Sequence, residues 1–274
     1  MTGVTTAVSG GPLRPTIDRS PLPLGRLLSA YLLEAQMETV AALRTPGFAL
    51  PFIAVPVAIY LFFGVVIGGN VAETSEYGPA VVDYLFSGFC VFAVMMPGIF
   101  SGVILATDRE GNVLKLKRAL PLPPGATIVA KVLMSMVVAA VALTLVVAAA
   151  LYVGKLTISI EQIATLWIVL VIGTIPFTAI GLLIGALVSS SAAPAWGNMI
   201  FLPMMWLSGL FIPLPDFLRS WVVIWPAFHL NQLALGVAGV KQFIFVPTGL
   251  AAAVLVGVTV LCGGLAIRRL ARVG

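Results

Sequence analysis

Apolar runs of more than twenty residues lie on either side of one long charged stretch, Thr107 to Lys131, and nothing else limits the fold as much. A run of about 20 apolar residues is what a helix needs to cross the hydrocarbon core of a bilayer. Composition agrees. Hydrophobic residues make up 60% of the chain and charged ones 9%, with a mean hydropathy of +1.12. Ordinary soluble domains carry roughly 25% charged residues. The 274 residues hold six spans with short connections. The expected fold is therefore an all-α integral membrane protein.

In order, residues 1–23 are polar and rich in Gly and Pro, lack the apolar core of a signal peptide, and read as a disordered cytoplasmic tail. Residues 24–45 read as an amphipathic helix on the cytoplasmic interface, with Leu24, Leu27, Leu28, Tyr31, Leu32 and Ala35 on one side. Residues 46–274 read as a six-span transmembrane domain. Its spans are Gly47–Gly68, Val81–Ala106, Val132–Val153, Ile163–Val188, Ala195–Phe211 and Phe245–Ile267. Pro97-Gly98 predicts a kink in span two. The GxxxG spacing of Gly181 and Gly185 permits close helix approach but recurs by chance and says little. Cys90 and Cys262 each lie inside an apolar run and read as packing residues rather than a disulfide or a metal pair.

Charge sets the orientation. On this layout twelve basic residues fall on one side and Lys155, Arg219 and Lys241 on the other. The excess puts both termini and the 107–131 loop in the cytoplasm. A net charge of +5 could suggest nucleic acid, but the basic residues are scattered at span ends, so no nucleic acid is expected. Residues 208–244 are too apolar for a free loop, yet Arg219, His229, Asn231 and Gln232 interrupt them. A re-entrant helical hairpin on the outer face, between spans five and six, fits both the apolarity and the charge rule.

The charged stretch has its own pattern. Thr107 and Glu110 have the spacing of a capping box, which predicts a helix from Thr107 to about Ala119, ended by Pro121. Val113, Leu116 and Leu120 would form its apolar stripe.

The order Asp108-Arg109-Glu110-Gly111, then Leu114, then Leu120-Pro121-Leu122, then Lys131 resembles the loop between spans two and three of type-2 ABC transporter permeases. Leu207-Ser208-Gly209-Leu210-Phe211-Ile212-Pro213 resembles the outer end of that family's fifth span, and Trp225-Pro226 stands where the family usually has Asn-Pro. The resemblance implies that 107–131 is a coupling loop docking in a groove of a separate ATPase subunit. It assigns the docking to Thr107, Glu110, Gly111, Val113, Leu114, Leu116, Leu120 and Pro121, and the hairpin to Ser208, Gly209, Pro213 and Pro226. It also implies a second permease subunit, identical or different, and a path at the interface between the two. The cell membrane is the implied location.

The chemistry that is missing agrees with this. On the layout above, the span interiors contain no Asp, Glu, Lys, Arg or His, whereas ion-driven carriers place such groups inside the membrane. No G-x-x-x-x-G-K-[ST] phosphate loop appears, so no cofactor is expected in this chain, with ATP and Mg bound by the partner ATPase. His229 is the sole histidine, and neither H-E-x-x-H nor G-x-S-x-G occurs. The chain is thus expected to be no enzyme but the permease of an exporter, with a drug, antibiotic or lipid as cargo. A channel, a scaffold or an intramembrane enzyme not driven by ATP is the competing class.

Overall fold

The computed structural model describes residues 23–74, 78, 80–120, 122–123, 125–153, 156–212 and 218–273, and all regular structure among them is helical. Residues 1–22 of the expected tail, Pro121 and Pro213 lie outside the described residues. Helix α1 (Leu24–Arg44) is joined to α2 (Pro46–Ile59) by Thr45 alone, which is extended, as a residue before proline prefers. α2 continues through a π-helical segment, Tyr60–Ile67, into α3 (Gly68–Thr74). Then follow α4 (Ala80–Glu110), α5 (Val113–Ala119), α6 (Ala126–Val153), α7 (Ile160–Ile172), α8 (Thr174–Leu187) and α9 (Ala193–Leu207). The short α10 (Arg219–Val222), α11 (Pro226–Ala238) and α12 (Thr248–Val273) complete the order.

Among the described residues five stretches are long and apolar enough to cross a membrane: Pro46–Asn70, Ala80–Glu110, Ala126–Tyr152, Ile160–Leu187 and Thr248–Arg272. The fifth span expected from sequence corresponds to α9, whose 15 residues rise only about 22 Å. Its flanks nevertheless lie at opposite ends of α4. Before α9, Ser190 hydrogen-bonds Glu110; after it, the Gly209 carbonyl accepts from the Tyr84 hydroxyl.

α4 is the centre of the fold, buried over most of its length, while α2 and α12 turn most of their surface outward. Its closest neighbour is α8, and glycine is the reason. A methyl at Gly102 would overlap the Gly181 carbonyl, one at Gly185 the Gly102 carbonyl, and one at Gly98 would sit 2.8 Å from Phe177 Cβ. The Gly181/Gly185 spacing, which carries little weight in sequence, is therefore half of the close seam between α4 and α8. Beside it, the buried Ser135 and Thr178 hydroxyls pair at 2.7 Å across α6 and α8.

His229, Asn231 and Gln232, three of the residues that interrupt 208–244, hold its backbone. Gly209 has φ +63°, and its carbonyl takes the Tyr84 hydroxyl and the Asn231 amide at 3.0 Å. Gln232 donates to the Phe243 carbonyl at 3.2 Å and accepts from Phe245 and Val246 N–H at 2.7 and 3.3 Å. His229 Nε2 lies 2.8 Å from the Val223 carbonyl. With these turns satisfied, α11 is buried, starting at Pro226 and seating Leu230 against Gly173, the junction of α7 and α8.

Candidate functional site

At the Glu110 end of α4 the chain does not start a new helix at Thr107. α4 runs on to Glu110, and the Thr107 hydroxyl donates back to the Val103 carbonyl at 3.0 Å, so the expected capping box is absent. Nothing between Ala106 and Glu110 disfavours helix, and a mid-helix threonine bonds its own preceding turn. The break falls instead at Gly111-Asn112, where Asn112 adopts φ +58°, a conformation asparagine tolerates. A reciprocal capping box does form elsewhere, between Ser159 and Gln162 at the start of α7. Asp83 secures the approach to it, accepting from the Thr157 N–H at 3.1 Å and from its hydroxyl.

α5 ends at Ala119, as expected, but its apolar residues split between two faces. Leu114 points inward, 9% exposed, against Leu105, Leu182, Ala186, Ala266 and Leu270. Val113 is half-buried, while Leu116 and Leu120 are 67% and 54% exposed. The single stripe expected from Val113, Leu116 and Leu120 is thus not buried within this chain.

Charged side chains tie this end together. The Arg109 guanidinium donates to the Ala186 and Val188 carbonyls, 2.6 Å each, closing the C-terminus of α8. Lys117 of α5 holds Glu34 at 2.6 Å and also Glu38, both on α1. Lys131 holds Glu38 at 2.7 Å and Asp108 at 2.5 Å. Burial alone would raise the Glu38 carboxyl, but the field of Lys131 and hydrogen bonds from both lysines bring it below its ordinary value. Burial would lower the Lys117 ammonium; its hydrogen bonds to Glu34 and Glu38 outweigh this and raise the group.

One expectation changes here. Lys131 is not a loop residue before span three: α6 begins at Ala126, and Lys131 is fully enclosed within it. The face of α1 that packs inward carries two carboxylates beside alanines. Glu34, Ala35, Glu38 and Ala42 are buried, while Leu24, Leu28 and Leu32 are exposed. The available signal was the i, i+4 spacing of Glu34 and Glu38, which puts both carboxylates on one side of a helix.

Clefts of more than 500 Å³ adjoin these elements. One of about 620 Å³ lies between α1, α2, α4 and α5, with Glu34, Asp108 and Lys117 beside Met37 and Phe48. Another, about 530 Å³, lies towards the Tyr84 end between the π-helical segment, α4 and α9, and is almost wholly apolar, with Phe63, Phe89, Phe92, Trp206 and Phe211 in its walls.

The profile of the family described as "ABC-2 type transporter" matches residues 31–263. The chain belongs to the ABC-2 transporter family. It is 26% identical over 204 residues to YvfS of Bacillus subtilis (strain 168), provisionally named a transport permease; the match covers 72% of this chain and 80% of YvfS. This ABC-2 chain is accordingly a multi-pass membrane protein and a transporter permease subunit. The matched region includes the whole of the charged cluster, from Glu34 to Lys131.

Proposed function

We propose that this ABC-2 permease is the membrane subunit of an ATP-driven exporter, docking through α5 on a separate ABC ATPase subunit. The observation that carries the reading is the form of α5. It is a short helix with Leu116 and Leu120 turned outward, held through Leu114, Lys117 and the neighbouring Arg109 to α1, α8 and α12. A free apolar surface on a firmly held helix suits transmission of force from a docked partner, because the helix cannot rotate independently of the spans. The family as a whole implies an ABC ATPase partner. In the proposed arrangement α9 and its flanks make a sixth crossing, both termini are cytoplasmic in the cell membrane, and residues 208–244 re-enter from outside. Two permease subunits would sit side by side over two ATPase subunits, with lipid around them.

The cargo proposed is hydrophobic or amphipathic. Its support is the aromatic cleft of about 530 Å³, which offers few polar groups to a sugar or an ion. The test is purification from membranes in mild detergent, identification of the co-eluting ATPase, and a screen of compounds for stimulation of ATP hydrolysis. Co-elution of an ABC ATPase that Leu116→Asp abolishes, with the permease still folded, is the expected result. Full ATPase retention by Leu116→Asp would refute the docking role of α5.

A further inference from the structure

We infer that one water molecule is bound where the end of α9 meets α11, bridging Ser208 to Asn231. Ser208 ends α9, Asn231 lies on α11, and the two are 0% and 1% exposed. Both line a small cavity of about 10 Å³, with Tyr84, Gly209, Gln232 and Phe243 also in its wall. Among the described residues, neither the Ser208 hydroxyl nor the Asn231 Oδ1 has a hydrogen-bond partner. A buried polar atom left unpaired loses its hydration with nothing in return, so folded proteins supply a partner for nearly all of them. His229 Nδ1 is likewise unpaired among the described residues, but His229 does not line this cavity.

Turning the Asn231 amide over does not resolve this. Its nitrogen donates to the Gly209 carbonyl at 3.0 Å, and a carbonyl only accepts, so the oxygen is the end left over. Gln232 is no help, because its own oxygen is taken by the Phe245 and Val246 N–H groups. The partner must therefore donate to Asn231 Oδ1 and pair with a hydroxyl. No charged residue lines the cavity among the described residues, which leaves an ion without a counter-charge. The space holds one water-sized molecule and nothing larger. Water meets both demands, and a bridging water is nearly as good as a direct hydrogen bond. Its place gives it a role. Tyr84 lines both this cavity and the aromatic cleft, and Phe211 and Ile212, just beyond Gly209, stand in the cleft wall. The bridge thus helps to fix where that wall stands relative to α11.

The test is X-ray radiolysis of the full permease in lipid nanodiscs, read by mass spectrometry; it needs neither ATPase nor cargo. Radicals formed from a bound water oxidise the side chains beside it, even where bulk solvent does not reach. Phe228 and Phe243, both in the cavity wall, are 2% and 3% exposed. Phe201, 4% exposed and outside the cavity, is the control. Phe228 and Phe243 are expected to be oxidised faster than Phe201. In the double variant Ser208→Ala with Asn231→Leu, which removes both partners, that excess should be lost. A second measurement is thermal unfolding. Ser208→Ala should lower the melting temperature by about 2–4 °C, the effect of one hydrogen bond in a chain of this size. In the Asn231→Leu background, where no bridge remains, the same change should cost nothing. Oxidation of Phe228 and Phe243 no faster than that of Phe201 in the unaltered chain would overturn the inference, with no variant having to fold. An equal loss from Ser208→Ala in both backgrounds would overturn it too, since the hydroxyl would then act without Asn231.

Discussion

Lys131→Met is the most direct probe of the charged cluster. The ammonium is fully enclosed, 2.7 Å from Glu38 and 2.5 Å from Asp108. Two unit charges 2.7 Å apart attract by about 6 kcal/mol at an effective dielectric near 20. Much of that is offset by the desolvation of the ions, and removing one partner of a buried pair costs about 3–5 kcal/mol in practice. Methionine nearly matches the volume of lysine, so the loss comes from charge rather than from a cavity. For a chain of this size each kcal/mol moves the melting temperature by about 2–4 °C, which predicts a fall of about 6–20 °C. The assay is thermal unfolding of detergent-purified protein followed by fluorescence-detected gel filtration. The double variant Lys131→Met with Asp108→Asn removes one of the two stranded carboxylates and should regain at least half of the loss. A single variant melting within about 2 °C of the original, or a double variant melting below the single, would refute the reasoning.

Gly102→Val should disrupt the α4–α8 seam and cost at least the upper part of the usual 1–3 kcal/mol for overpacking, because the obstacle is backbone. Gly249→Ala, with nothing within 4 Å of the new methyl, should melt as the original does, so equal behaviour of the two variants would exclude the seam. The pH dependence follows from the two shifted groups. The lowered Glu38 carboxyl contributes stability above its ordinary value of 4.5, lost as pH falls through its lower folded value. The raised Lys117 ammonium contributes below 10.5, lost as pH rises through its higher folded value. A melting plateau between these limits is expected, and Lys117→Met should flatten its alkaline edge. For topology, a cysteine replacing Asn112 should resist a membrane-impermeant thiol reagent applied outside intact cells, whereas ones replacing Ser75 and Asp216 should react; labelling at position 112 would reverse the proposed orientation.

How far the sequence reaches is clearest at α5. The end of that helix before Pro121 and the apolar, membrane-crossing character of the flanking runs were legible, because both depend on local chemistry and composition. The start was not. The Thr107 and Glu110 pattern for a helix cap is the same whether the residues begin a helix or continue one, and here α4 had already supplied the preceding turns. That Leu114 turns inward while Leu116 and Leu120 stay exposed depends on where α8 and α12 end.

By itself the sequence determined an all-helical membrane protein with a charged interruption between long apolar helices, since continuous apolar runs leave the backbone little alternative in lipid. Only the tertiary structure decided which charges are buried. Glu34, Glu38, Asp108, Lys117 and Lys131 come from four helices spread over almost a hundred residues, and each alone looks like an ordinary charge near a span end. The same holds for Gly102 and Gly181, whose importance arises when two backbones meet. Buried ion pairs and close helix packing are relations between distant segments, and the physical reason they escape local reading is that their partners are chosen by packing rather than by neighbouring residues.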